Sequence, residues 1–545
     1  MEFTDAIVVG SGAGGGCCAK VLAAAGIRVV MFERGEWNRT DPLGEDDLAG
    51  QRSPCVVLGP GPHGRRTRKE HFQDNGDDGV VRPNNAACVG SGTVTYGAMG
   101  WRFLPDDFRL KSKYGELEGS TMDDWPFTYD DLEPFYEQAE WEVGVAGSDE
   151  GNPFCGPRKK NYPMPPFPYT PESKIMDEAF RKQGLHPFPT PLLRNSIPFN
   201  GRPACIHNRF CVGYQCPIDA KNGTQNTVIP AAIATGNLDL RIRCMVVEVM
   251  MDDTGKAVGV KYFDENHQLR ELRAKVVVLA AAALGTARLL LASKSGRFPN
   301  GIGNAHDVVG RNVQTHRYVG ARGFWKEELF TEDGPGTNVA ICDYSHDNPG
   351  FVGGGILHTD FQFTPYIFAG GSVLHGTASW GQEHKDLMRR FYRRQIRIIG
   401  PIQDMPTWQR RVVLNDSARD CWGLPFVRSE GQGHINDVKA GNFLSDRAYE
   451  ILQKTGAEHI QHQGKSDHLP FGGGGQHQGG TCRMGKDPKT SVTDGWGKVH
   501  ETENLYLADG SLLVSIGGFN PALTIMALGF RVGAGIVRDW DSMKG

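Results

Sequence analysis

The segment Gly10-Ser11-Gly12-Ala13-Gly14-Gly15 constrains this chain more than any other. It reads G-x-G-x-x-G and lies between an apolar run, Ala6-Ile7-Val8-Val9, and a small-residue stretch holding Ala19, Leu22, Ala23 and Ala24. A second apolar run, Arg28 to Phe32, ends at Glu33. This order predicts strand, tight turn, helix and strand, the opening unit of a dinucleotide-binding α/β fold. Gly10 permits the turn, Gly12 lets backbone approach a pyrophosphate, and Gly15 lets the helix pack closely on the sheet. The helix start at Ala13 offers N–H donors and its dipole to the phosphates. Glu33 stands where a carboxylate accepts from the adenosine ribose hydroxyls. The turn alone does not separate FAD from NAD.

Charge and composition remove other classes. The formal net charge is -4 over 545 residues, which gives no support for a nucleic-acid or anionic-membrane partner. The densest basic run, Arg65-Arg66-Thr67-Arg68-Lys69, is followed by an acidic stretch from Asp74 to Asp78, and the pair reads as a solvated loop. No run approaches the roughly 18 apolar residues of a membrane span. The chain enters its first strand with no basic leader or cleavage pattern, so no membrane span or export is expected. Twelve cysteines are too sparse here for a disulfide framework, and Cys17-Cys18 fall inside the predicted buried helix. Reduced thiols and a cytoplasmic location are the expectation.

Three separated segments carry α/β punctuation: residues 5 to 35, residues 236 to 293, and the C-terminal part. The second holds Leu238 to Ile242, Val276 to Leu279 and a helical stretch from Leu284 to Ser293. The third holds a short strand, Asn504 to Ala508, and a helix after Asn520-Pro521 with proline at an early helical position. The intervening residues 120–200 are rich in proline and aromatics, and 310–460 mix strands with Gly-rich turns. The expectation is an α/β, Rossmann-like FAD-binding domain from residues 1–110, 201–310 and 465–545. Residues 111–200 and 311–464 form a discontinuous sheet-plus-helices substrate domain.

Three further segments resemble the glucose–methanol–choline (GMC) oxidoreductases over nearly the whole chain. Val89-Gly90-Ser91-Gly92-Thr93 and Gly97-Ala98-Met99-Gly100 resemble the family's Gly-rich loop beside the flavin ring, which implicates Gly92, Thr93 and Gly97. Thr95 stands where some members carry a histidine joined covalently to the flavin, so dissociable FAD is implied. Val276 to Ala280 and Gly285-Thr286-Ala287-Arg288 resemble a second signature, with Ala287 in place of the usual proline. Val246 then flanks the adenine or serves as ordinary strand core. Third, His477-Gln478-Gly479-Gly480-Thr481-Cys482 is followed, 43 residues after His477, by Asn520-Pro521. In the family this is the catalytic histidine with a second His or Asn, and Asp509-Gly510 matches the pair touching the flavin's phosphate and ribityl region. His462 and His468 are read as structural, and a structural role is likewise expected for Gln403 and Asp404.

These residue types permit a definite chemistry. An alcohol becomes a good hydride donor only as its hydroxyl proton is removed. His477 is the general base, since imidazole titrates near neutrality. Asn520 donates to the developing alkoxide, and the helix after Pro521 aims unpaired N–H groups at the flavin.

The subgroup resemblance is to sugar-oxidising members, carried by Trp101-Arg102-Phe103-Leu104-Pro105, Asp124-Trp125-Pro126, Tyr129 to Tyr136 and Tyr162-Pro163-Met164. Each of these segments also suits a fold-keeping role. The implied reaction oxidises a secondary ring hydroxyl of a sugar or glycoside to a ketone, the 3-position favoured, with oxygen or a soluble acceptor taking the electrons. A catalytic subunit of a glucose- or gluconate-type dehydrogenase, passing electrons to partner subunits, stays open. So do a non-redox FAD-containing lyase and a flavin binder without activity. Cys205, Cys211 and Cys216 form C-x5-C-x4-C, where dehydrogenase subunits carry an iron–sulfur motif. Ile206 replaces its adjacent cysteine and the last spacing is one longer, so buried thiols and no metal are expected. A homo-oligomer is compatible with these features.

Overall fold

Strands buried on both faces must be apolar throughout, and four such runs meet in one sheet. In the computed structural model, which describes residues 2–37, 73–74, 86–330, 334, 336–361, 363–371, 373–469 and 477–543, β1 (Phe3–Val9) lies at its centre. It pairs in parallel with β2 (Val29–Phe32) on one side and with the strand Leu269–Leu279 on the other. Leu238–Arg241 extends the sheet beyond β2, again in parallel. The strand Leu269–Leu279 splits its other edge. Its apolar end, Val277 to Leu279, pairs in parallel with Leu505–Leu507, while Leu269 to Arg273 pair antiparallel with Ala257–Phe263. The run Arg65 to Lys69 lies outside the described residues, as does the acidic stretch apart from Asp74.

Helix α1 (Ala13–Ala24) returns from β1 over this sheet and crosses the C-terminal helix Ala522–Arg538. The crossing needs glycine on the C-terminal helix: a Cβ on Gly529 would lie 2.3 Å from the Gly14 carbonyl oxygen. The C-terminal helix begins at Ala522, so Pro521 is its cap residue rather than part of its first turn. Helix Tyr129–Ala139 packs on it, and the Tyr136 hydroxyl sits 2.8 Å from the Thr524 hydroxyl.

A second sheet of six strands is antiparallel throughout, in the order His459–Gln463, Tyr318–Phe324, Gln395–Pro401, Leu357–Thr359, Val339–Ile341 and Phe188–Pro189. The helix Ile435–Leu452 covers it, burying Leu444, Ala448 and Ile451 against Val319, Ala321 and Ile398. Ser445 fixes the helix by donating its hydroxyl to the Gly320 carbonyl at 2.8 Å. Two short strands, Gln314–Thr315 and Gln478–Gly479, form a separate antiparallel ladder with Thr315 opposite Gln478. The architecture is the expected GMC fold: a Rossmann-like sheet with helices, and a second sheet-and-helix layer. Among the described residues no helix is long and apolar enough to cross a membrane.

Candidate active site

The turn after β1 is glycine by necessity. Gly10 has φ +103°, and a Cβ there would meet the Ala280 carbonyl oxygen at 2.2 Å. Gly15 packs against Gly10 and Ala280, as the fingerprint predicts, and stays behind the cavity wall instead of lining it. Gly12 is different: only Ser91 lies within 4 Å of a Cβ built there, at 3.3 Å, and the residue faces a cavity of about 600 Å³. The N-cap residue of α1 is Gly12, which has no side chain to cap the helix, and the first turn faces the cavity with N–H groups suited to an anion.

That one cavity collects almost every residue singled out from sequence. Gly10, Gly12, Ala13 and Glu33 line it from the first βα unit, and Val246 lines it from the strand Met245–Met251. Gly92, Thr93, Thr95 and Gly97 contribute from the Gly-rich loop, and Asp509 and Gly510 from the turn after Leu505–Leu507. His477, Asn520 and Pro521 complete the set. A Cβ on Gly92 would meet nothing within 4 Å, so that stretch is open to a flat group. At Gly97 the need is local: a Cβ would lie 2.2 Å from the Phe361 ring, which itself lines the cavity. Glycine there makes room for an aromatic wall.

The two carboxylates are held in place. Glu33 accepts from the Ser11 hydroxyl at 2.6 Å and from the Gly35 N–H at 2.9 Å, and burial raises its pKa. Asp509 accepts from the Thr286 hydroxyl at 2.6 Å and the Ser511 N–H at 2.8 Å, and burial raises it likewise. Thr286 of the second signature is thus the anchor of Asp509. A glycine-cradled cavity with a helix N-terminus on its wall and carboxylates suited to hydroxyl donors fits FAD.

His477 stands directly before the ladder strand Gln478–Gly479. Its Nδ1 lies 2.8 Å from Nδ1 of His316, and the packing around it, with His316 beside it, lowers its pKa well below the ordinary 6.5. The Asn520 amide donates through Nδ2 to the Tyr318 hydroxyl oxygen at 2.7 Å, while its buried Oδ1 has no partner among the described residues. Tyr318 also approaches the His477 ring, with centroids 5.7 Å apart. His316, Tyr318, Phe361 and Ile367 lie in residues 311–464 and were invisible to motif reading. The only signal for two of them is the polar aromatic pair His316-Arg317-Tyr318 at the start of a buried strand.

The same two-part sequence signal is recorded across a known group of proteins. Sequence models of the GMC oxidoreductases match residues 124–318 and 406–529. The chain belongs to the GMC oxidoreductase family. It is 31% identical to 6‴-hydroxyparomomycin C oxidase from Streptomyces lividus, over 98% of this chain and 91% of that protein. It is 28% identical to the fructose dehydrogenase large subunit from Gluconobacter japonicus, over 98% of each. Pyridoxine 4-oxidase from Mesorbium loti shares the fold, with TM-score 0.64 and 16% identity over 98% of this chain and 99% of that one. As a GMC member the chain is an oxidoreductase acting on CH–OH donors, and its cavity is that of an FAD-dependent enzyme.

Gln403, expected to be structural, is buried with no side-chain hydrogen bond among the described residues. His462 stacks on Tyr449 at 4.5 Å and meets the Ser445 hydroxyl at 3.1 Å, away from the cavity, and His468 is exposed. Asp404 holds Arg410 at 2.6 Å and accepts from the Thr315 N–H at 2.6 Å, a structural role. Of the three clustered cysteines only Cys211 is buried, whereas Cys205 and Cys216 are half-buried. Arg102, in a subgroup-like segment, is buried between Glu140 at 2.8 Å and Glu133 at 3.2 Å, which keeps the fold.

Proposed function

We propose that this GMC oxidoreductase oxidises a hydroxyl of a sugar or glycoside, with His477 as general base and Asn520 and Tyr318 holding the substrate oxygen. The observation that supports it most is the convergence of these three side chains on the cavity that also carries the glycine cradle. The reacting carbon gives up a hydride while the hydroxyl proton passes to Nε2 of His477, leaving a carbonyl. When bound, FAD supplies the acceptor of that hydride. Tyr318 already accepts from Asn520 and, among the described residues, its own O–H has no acceptor, so it can donate to the substrate oxygen together with the second hydrogen of the Asn520 amide. Glu33 then receives the ribose hydroxyls, Val246 flanks the adenine, and Asp509-Gly510 meet the phosphate and ribityl chain. Thr95 offers no group for a covalent link, so FAD is held non-covalently. Residues 1–110, 201–310 and 465–545 form the FAD-binding part, and 111–200 with 311–464 the substrate part. Oxygen or a soluble acceptor closes the cycle, and the enzyme works in the cytoplasm.

The ring 3-hydroxyl, giving a ketone, is the position that the subgroup resemblance favours. A second reading rests on the relative named for a 6‴-hydroxy compound. Carbon 6 of a hexose is its exocyclic CH2OH, and oxidation there gives an aldehyde. The test is oxygen-free mixing with monosaccharides and glycosides, following flavin bleaching and identifying the carbonyl formed. His477→Ala should slow bleaching about 100-fold or more, the usual scale for a lost general base, with FAD still bound. Bleaching at the parent rate removes His477 from the role.

A further inference from the structure

We propose that His316 is a positioning residue that fixes the tautomer of His477, leaving Nε2 of His477 as the bare nitrogen that receives the substrate proton. This rests on the reading of His477 as base and adds a residue that no motif marks. The ladder between Gln314–Thr315 and Gln478–Gly479 places Thr315 opposite Gln478, and its continuation brings His316 beside His477. Their Nδ1 atoms are 2.8 Å apart, and the rings stand nearly perpendicular at 89°. On its other side, Nε2 of His316 lies 2.9 Å from the Gly517 carbonyl oxygen.

Proton counting then fixes every position. A carbonyl oxygen can only accept, so the hydrogen of His316 is on Nε2. A neutral imidazole has one N–H, so Nδ1 of His316 is bare and must accept. The donor to it is Nδ1–H of His477, since two bare nitrogens at 2.8 Å would repel. Nε2 of His477 is left without a hydrogen and is the only basic atom the ring can offer to the cavity. When His477 takes up a proton its Nδ1–H bond to His316 becomes charge-assisted and stronger, which favours the transfer.

The relay requires a neutral His316. A His316 cation would donate from both nitrogens and force the hydrogen of a neutral His477 onto Nε2. Burial opposes such a cation and outweighs the Gly517 and Ile516 backbone and the two carboxylates, which favour it. His316 is 8% exposed, and burial lowers its pKa to about 4. The carboxylates that act on it, Asp404 and Asp107, are committed elsewhere, to Arg410 at 2.6 Å and His346 at 3.1 Å. On the cavity side, among the described residues, the uncharged Tyr318 ring approaches His477, 5.7 Å away between centroids.

Neutron diffraction from crystals of the deuterated holoenzyme, without substrate, tests the assignment. Deuterium on Nε2 of His316 and on Nδ1 of His477 is the expected result. Deuterium on Nε2 of His477 with none on its Nδ1 overturns it. Ring-nitrogen NMR of two further holoenzymes separates tautomer control from packing. His316→Asn keeps an acceptor near the Nδ1 position and should retain the Nδ1–H form of His477, while His316→Leu should lose it. Retention of Nδ1–H in both variants also overturns the proposal. If instead His477→Ala still bleaches at the parent rate, the base reading fails while the deuterium positions stand.

Discussion

The hydroxyl of Tyr318 decides how Asn520 is presented. An asparagine amide facing a cavity has two donors and one acceptor, and only a fixed partner chooses which of them meets the substrate. Here Nδ2 is tied to Tyr318 at 2.7 Å. Tyr318→Phe removes that tie and the Tyr318 O–H that can donate beside it. Flavin reduction by a bleaching sugar should slow about 10-fold, the scale of one hydrogen bond near 1.4 kcal/mol, with FAD affinity unchanged. A stopped-flow rate equal to that of the parent would contradict this role. At this scale legibility has two sources: Glu33 follows from the spacing of the fingerprint, whereas His477, Asn520 and Asp509 come from the family resemblance, and all four line the cavity. Tyr318 and Phe361 were not legible, because an aromatic residue in a sheet or loop has the same pattern whether it fills a core or walls a cavity. Gly97, implicated by the loop resemblance, lines the cavity, and a Cβ there would strike the Phe361 ring, a contact no motif announces.

At the scale of elements, the first turn of α1 is held against the cavity by the C-terminal helix. Gly14 O is the atom that a Cβ on Gly529 would strike, at 2.3 Å, and a backbone atom cannot swing aside as a side-chain tip can. Gly529→Ala should therefore force the helices apart, costing about 1–3 kcal/mol as overpacking does. It should also weaken FAD binding, because Gly12 and Ala13 move with the turn. Gly533→Ala, further along the same helix, meets the Val21 side chain at 2.9 Å and should lower the unfolding midpoint with little change in FAD affinity. Thermal unfolding and flavin titration of both variants check the contrast, and equal loss of FAD affinity would refute it. The parallel strands were legible as unbroken apolar runs, such as Val276 to Leu279. The second sheet was largely hidden, since strands of two or three residues, Phe188–Pro189 and Leu357–Thr359, are too short to show alternation. The two-residue ladder that brings His316 to His477 is beyond any periodicity argument.

The whole molecule places neutral histidines and uncomfortable carboxylates together inside its core, and the two groups push stability in opposite directions with pH. His358, fully buried in the second sheet, donates Nδ1–H to the Thr359 carbonyl at 2.8 Å, and its Nε2 has no partner among the described residues. Burial lowers its folded pKa below the ordinary 6.5, as it does for His316 and His477. Below about pH 6.5 the unfolded chain therefore binds more protons at these positions, and stability falls as pH drops. Burial raises Glu33, Asp437 and Asp509, so the folded chain takes their protons first and these groups oppose that loss. A single pH curve mixes the two sets, but a difference between proteins does not. The stability of the parent minus that of His358→Leu should shrink as pH is lowered from 7 to 5, by up to about 1.4 kcal/mol per pH unit, because only the parent must keep this imidazole neutral. Urea midpoints at matched pH values, with FAD saturating, measure it. Parallel curves would mean that His358 is protonated as readily inside as outside, which a fully buried ring with one unpartnered nitrogen does not allow.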